Sequence, residues 1–523
     1  MSIWRPGSLT LAASLLLGCQ PSKTASPPSA PGFERAPDAE LVQQESAPTT
    51  EPPPPGVTPA APFPTIHHRE LGNGLEVRVV ERHNLPIVDL NLIVMSGQAS
   101  DSKPGVAVLA GELLKAGGAG KWDAERLVER AESLGATLSV LTERDATTIS
   151  IAVTTHNLDA ALELLAAVAQ KPRFAPQEFT KLKQREIERV SSLAKDSPEW
   201  AASMVLYREL YELPTGVHPY ASYDATAAAI GEISLGDCRT WYGTHFTPPN
   251  AVLVAAGDVT PEDFAKRAEA AFGAWKGEPP PAQSFPAAHV PERLEILLVD
   301  RPASTQSLVY VSAFGPERRS AAWPALRATH QILGGGVAGR LFLDVRERRS
   351  LAYRTGSSLV EVAHGRVPML LQAGTQTEKA PEAVAALLEH VGLLKKAAPE
   401  AAETEIATRY LADSFLIQLE TVGALASLTG RLRVLGLPDD YYDRYREQVR
   451  QVSPQDVSAI GREYFDPERV VVVVAGDADR LGKPLSHFGP VTVVSPARAF
   501  VIERKLPHDP SQKIEVPPLP AKP

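Results

Sequence analysis

Twelve histidines and two cysteines are the soft metal-ligating side chains of this 523-residue chain, and neither set is spaced to grip an ion. Cys19 and Cys238 are too few for a disulfide framework or a thiolate-built zinc or iron–sulfur site, so a metal would need histidines with carboxylates. Two imidazoles four residues apart share one helical face and begin many such sites, yet no two histidines stand at that spacing. Glu389-His390 has Ala386 where a first histidine would be needed, and the pair reads as an ordinary solvated helix end. Gly334-Gly335-Gly336-Val337-Ala338-Gly339 satisfies G-x-G-x-x-G, but a dinucleotide loop follows a strand, whereas Ala322 to Leu333 has a helical pattern. In Arg346-Glu347-Arg348-Arg349-Ser350-Leu351-Ala352-Tyr353, residue types alone favour a charged helix end beside a core tyrosine.

The elements that would position these residues come in two sets. SLGDCRTWYGTHFTPPNAVLVAAGDVT begins at Ser234 and SPQDVSAIGREYFDPERVVVVVAGDAD at Ser453; Phe246 and Phe465, then Gly257 and Gly476, recur at the same offset of 219 residues. A helix, a proline turn, a buried β-branched strand and a Gly-Asp stop are therefore repeated in register. In the first half, LEVRVVERHNLPIVDLNLIVMSG predicts two strands around Asn84-Leu85-Pro86. Helices are expected near Val106 to Lys115, Asp123 to Leu134 and Leu158 to Ala169, with strands at Thr137 to Val140 and Thr147 to Val153. The second half opens with strands LEILLVD and SLVYVSAF and has helices near Ala322 to Leu333 and Gly339 to Arg349. Strands arriving in pairs predict an α+β fold: a tandem of two similar domains, each a mixed or largely antiparallel sheet with helices packed on it. The expected domains are residues 66–285 and 290–490, divided at Pro279-Pro280-Pro281 and the stretch up to Pro291.

The ends read differently. MSIWRPGSLTLAASLLLGC sets one arginine before an apolar run too short to span a bilayer, as in a secretory signal peptide over residues 1–18. Leu16-Leu17-Gly18-Cys19 resembles the lipobox of bacterial lipoproteins, which makes Cys19 the expected lipidation site and leaves Cys238 without an intrachain partner. Gln20 in place of aspartate points to the outer membrane, so the expected location is the periplasm, lipid-anchored. Residues 19–65 form a proline-rich tether with too little apolar surface to fold, and residues 491–523 are expected to be a loose tail. Lys plus Arg number 53 against 62 for Asp plus Glu, a formal charge of -9, which leaves no basic surplus for a phosphate backbone. Nucleic acid is not an expected partner.

NGLEVRVVERHNLPIVDLNLIVMSGQASDSKPGVAVLAGELLKAGG resembles the N-terminal domain of the insulinase or pitrilysin family of zinc peptidases. ILGGGVAGRLFLDVRERRSLAYRTGSS resembles that family's C-terminal domain, in its bacterial, processing-peptidase-like branch. The resemblance runs from about His67 to Asp477. It implies an inverted zinc motif, His-x-x-Glu-His, at Val108, Gly111 and Glu112, none of which matches, and a third ligand at Glu186 or Glu188, which without histidines read as solvated helix carboxylates. Zinc is accordingly expected in no site of this chain. The resemblance further implies that Arg346 and Tyr353 hold the substrate backbone and the developing oxyanion. Some members work as pairs that close around an unfolded peptide, one chain holding zinc and the other the Arg/Tyr donors. The expected role is thus a catalytically incomplete subunit, inactive alone, whose partner is a zinc-bearing paralogous chain or a second copy. The alternative is a non-proteolytic structural or peptide-binding lipoprotein of the same fold.

Overall fold

The computed structural model describes residues 61–514, apart from Thr215 and His289. Cys19, the signal peptide and most of the tether lie outside the described residues. Two sheets organise the rest. The first contains β1 (Ile66–Glu70), β2 (Glu76–Glu81), β3 (Ile87–Val94), β4 (Ser139–Thr142), β5 (Thr147–Thr154) and β6 (Ala251–Gly257), in the order β1-β2-β6-β3-β5-β4. The second contains β7 (Glu295–Asp300), β8 (Gln306–Glu317), β9 (Arg354–Leu359), β10 (Arg366–Gln376), β11 (Val471–Gly476), β12 (Val491–Ser495) and β13 (Val501–Leu506), in the order β13-β12-β7-β11-β8-β10-β9. Each sheet is mixed and mostly antiparallel: β2 runs parallel to β6, and β7 runs parallel to β11 and β12.

The run β2-β6-β3-β5-β4 has the same order and directions as β7-β11-β8-β10-β9, so the sequence repeat is a repeat of topology. Its origin is local. Ser234 and Asp237 form a capping box on the helix Leu235–His245, and Ser453 and Asp456 form the same box on Pro454–Tyr464. Each box satisfies N–H groups at the first turn that the helix itself leaves unpaired. Both helices stop at a phenylalanine, Phe246 or Phe465, before the fully buried strand β6 or β11.

Strands buried on every residue need cover on both faces, and the two halves exchange helices to supply it. The helix Val422–Val434 of the second half packs across β3 and β6 of the first sheet, where Leu425, Ala426 and Leu432 meet Ile93, Val252 and Val254. The helix Pro198–Leu210 of the first half packs on β7, β8 and β11 of the second sheet.

The expected loose tail from residue 491 is corrected by the structure. Val491–Ser495 and Val501–Leu506 are strands, the first lying parallel to β7 and the second closing the sheet edge. The β-branched Val-Thr-Val-Val run buries Val491, Val493 and Val494, which outweighs the proline-rich composition that follows it.

Candidate functional site

The helix Val106–Ala116 begins at Gly105, whose φ of 94° suits only glycine comfortably. The Asp101 carboxylate holds this start, accepting the N–H groups of Gly105 at 2.6 Å and Ala107 at 2.7 Å. Burial pushes its carboxyl up to about 7, against the pull of those two bonds. One face of the helix is core, with Leu109, Leu113 and Leu114. The other carries Val108 and Glu112, which at i and i+4 line one cavity of about 1170 Å³.

Gly111 lies between them and is buried. A Cβ there would fall 2.3 Å from Thr142 Oγ1, on β4, so the absence of a side chain lets the helix close on the strand. Thr147 tightens the contact: its hydroxyl donates to the Ser96 carbonyl at 2.9 Å and lies 3.3 Å from that of Thr142.

The helix Pro176–Asp196 forms another wall. Glu186 faces the cavity and accepts from Arg189 Nε at 2.6 Å, while Arg189 Nη2 donates to Asp224 at 2.8 Å. Glu188 is exposed, takes an N–H from Gln184 and does not line the cavity. Partial desolvation raises the Glu112 carboxyl, with Lys115 opposing the shift and Glu186 adding to it. The second half contributes Glu361 and Arg431, an ion pair at 2.9 Å. Along the rim runs β4, the sheet's edge strand, with Leu141 58% exposed. Its unpaired N–H and C=O groups can accept an extended peptide as a further strand.

Arg346 and Tyr353 do not line this cavity. Arg346 sits in a π-helical segment, Phe342–Arg348, where its guanidinium lies 4.6 Å from the Phe342 ring centroid and 3.4 Å from Glu347. Tyr353 is 55% exposed. Its neighbour Arg354 reaches to 3.5 Å from Glu199 on the cavity wall, whereas Tyr353 lies over Gly374 and donates to Gln306.

Beneath Arg346 is a buried network that sequence reasoning missed. Asp344 Oδ2 is 2.8 Å from His390 Nε2, Asp344 Oδ1 accepts from Arg349 Nε at 3.0 Å, and Arg349 Nη1 donates to Glu389 at 2.8 Å. Burial works against the Asp344 carboxylate, but the bonds from His390 and Arg349 outweigh it and hold the carboxyl below its ordinary range. The expectation of a solvated Glu389-His390 helix end holds for Glu389, which is exposed, and is corrected for the histidine. His390 is 4% exposed and lies inside the helix Ala380–Lys396. The available signal was weak: Asp344 and Arg349 flank Arg346 in a run already rich in charge, and only their burial sets them apart.

The glycine loop follows the helix Trp323–Gly334 and packs on β9, where a Cβ on Gly334 would fall 2.7 Å from Ser357 N. It closes a helix against a strand; no strand leads into it.

Two family models match the chain, one described as insulinase (peptidase family M16) over residues 77–214 and one as the peptidase M16 inactive domain over residues 232–411. The chain belongs to the M16 peptidase family. An uncharacterized zinc protease of Mycobacterium bovis is 24% identical to it over 339 residues, 64% of this chain and 76% of that protein. One from Bacillus subtilis is 21% identical over 352 residues, 67% and 84% of the two chains. The crystal structure of a peptidase M16 inactive domain from Pseudomonas fluorescens matches with a TM-score of 0.73 at 25% identity, over 79% of this chain and 98% of that one. A protease from Helicobacter pylori shares the fold, with a TM-score of 0.72 at 20% identity over 79% and 100% of the two chains.

The side chains of this M16 member do not fit the zinc of the family. Val108 offers no lone pair, Gly111 is wedged against Thr142, and Glu186 is committed to Arg189. Among the described residues no group of three or more His, Cys, Asp or Glu side chains is placed to hold a metal ion.

Proposed function

We propose that this chain is the zinc-less member of a two-chain M16 peptidase, presenting Arg346 and Tyr353 to a peptide held against a zinc-bearing paralogous partner. The observation that carries the reading is their placement. Both donors are substantially exposed and lie off the chain's own cavity, where they can serve a substrate that a second chain holds. In that setting the guanidinium and the phenol aim N–H and O–H groups at the oxygen on which charge develops during peptide cleavage. Removing one such donor elsewhere costs about 10²–10³ in rate. The cavity along β4 supplies the chain's own grip on an extended peptide, through main-chain pairing that does not depend on side-chain sequence. The same grip without proteolysis is the second reading, favoured by the closed contact between Gly111 and Thr142. We assign the assembly to the periplasm, held at the outer membrane through Cys19.

The test is peptidase activity of the purified chain, of the chain in the same genome that carries His-x-x-Glu-His, and of the two together. Activity of the pair well above either chain alone supports the reading. A partner fully active alone and unchanged by this chain overturns it in favour of a non-proteolytic role.

A further inference from the structure

Tyr353 is held more closely than an exposed side chain requires. Its backbone N–H donates to the Gly374 carbonyl at 2.9 Å. The hydroxyl end of its ring lies against Gly374, where a Cβ would fall 2.9 Å from both Cζ and Oη, so no other residue type leaves the ring its seat. Its hydroxyl reaches Gln306 Oε1 at 3.2 Å. Gly374 pairs with Leu308, two residues along β8 from Gln306, so the ring spans from the start of β9 across β10 to the beginning of β8. Two neighbouring strands thus hold Tyr353: Gly374 of β10 anchors its backbone and seats its ring, and Gln306 of β8 takes the hydrogen bond of its hydroxyl.

A phenol has one proton and two lone pairs, and a carboxamide carries both an acceptor and a donor. We propose that Gln306 is the positioning residue of Tyr353. At rest its Oε1 accepts the phenol proton and holds the ring in place. When that proton turns to a peptide oxygen, the Gln306 amide rotates and its Nε2–H donates to the phenol oxygen instead. The phenol then stays where it was with its hydrogen-bonding capacity filled, and the N–H bond polarises the O–H towards the substrate. Leucine at this position could neither accept nor donate, and an ionised glutamate could accept only. The inference rests on the reading that Tyr353 serves a substrate held by a zinc-bearing partner.

The experiment uses the assembled pair, with Gln306→Leu, Gln306→Glu, Tyr353→Phe and the double variants, and reads kcat and KM separately on an unstructured fluorogenic peptide. Gln306 is exposed on a strand end, and thermal melts with partner co-elution confirm that the variants fold and assemble. Gln306→Leu is expected to lower kcat about tenfold at unchanged KM, below the ~10² that a 1 Å misplacement can cost. Gln306→Glu is expected to lose at least as much, because a carboxylate keeps hold of the phenol proton. In the Tyr353→Phe background neither substitution should lower kcat further. The proposal is overturned if Gln306→Leu or Gln306→Glu matches wild type while Tyr353→Phe is slow, or if the Gln306 effect persists undiminished without the phenol. If Tyr353→Phe itself leaves turnover unchanged, the two-chain reading fails and this proposal fails with it.

Discussion

Gly111→Ala tests whether the old base position is closed by packing or merely vacant. Alanine in place of glycine inside a helix gains about 1 kcal/mol in propensity. Here the new Cβ would lie 2.3 Å from Thr142 Oγ1, against 3.4 Å for ordinary contact, and overpacking of a tight core costs roughly 1–3 kcal/mol. Thr142 has limited freedom to yield, because β-branched side chains are stiff at χ1 and its hydroxyl accepts from Thr147 at 3.3 Å. The single substitution is therefore expected to destabilise by about 1 kcal/mol net. Thr142→Ala removes the offending oxygen and leaves the Cβ at position 142, 3.6 Å from where the new methyl group would sit, in ordinary contact. In that background Gly111→Ala should stabilise, by up to about 1 kcal/mol. The sign of one substitution thus reverses with the other, a coupling on the order of 2 kcal/mol, within the range for residues in contact. Urea unfolding of the four proteins, followed by tryptophan fluorescence and circular dichroism, measures it. An equal cost of Gly111→Ala in both backgrounds would refute the wedge.

Four further outcomes are expected. Elemental analysis of the purified chain should give no stoichiometric zinc, and His, Glu and His at positions 108, 111 and 112 should not restore it while Thr142 is intact. In an active pair, Arg346→Ala or Tyr353→Phe should lower turnover roughly 10²–10³-fold with the partner's zinc retained, whereas Arg348→Ala, on another face of the same turn, should change little. The folded Asp101 carboxyl, raised to about 7, binds its proton more tightly than in the unfolded chain, so its stabilising contribution is present at low pH and is lost as pH rises from near 4 through 7. Asp101→Asn should therefore gain stability relative to wild type between pH 5 and 7.5 in urea titrations, and a relative loss would contradict the assignment. Cys19→Ser should release the protein from the membrane fraction, and a mature N-terminus elsewhere, with Cys19 removed, would end the lipoprotein reading.

What was legible in the sequence was local. The repeat at an offset of 219 residues carries its own start signals, Ser234 with Asp237 and Ser453 with Asp456, and its own stop, so hydrophobic period and capping chemistry suffice to place the helices and strands. The exchange of Pro198–Leu210 and Val422–Val434 between the sheets was not legible, because a strand such as Val471–Gly476 states that both faces are buried without stating by what. The same limit hid His390. Glutamate followed by histidine suggests solvent, and only the fold brings Asp344, 46 residues away, to 2.8 Å. Glu186 and Glu188 were indistinguishable as letters; helix phase puts the first on the cavity wall and the second in solvent.

The energetic contrast between the two sites bears on what each is for. The Gly111–Thr142 contact makes sense as packing alone, since it needs no ligand and leaves the helix Val106–Ala116 with an intact core face. The Arg346 segment does not. Exposed pairs such as Arg346–Glu347 contribute little to stability, and a half-exposed tyrosine buries little surface. Below them Asp344, His390 and Arg349 are almost wholly buried. Such a network gives no clear gain over an apolar core of equal volume, but loss of one partner costs about 3–5 kcal/mol. Its physical effect is conformational. It ties the π-helical turn Phe342–Arg348 to the helix Ala380–Lys396 and keeps Arg346 directed outward. A hydrophobic substitute would hold the turn's mass without fixing its path. The buried charges are therefore accounted for by the path they impose on the turn that carries Arg346.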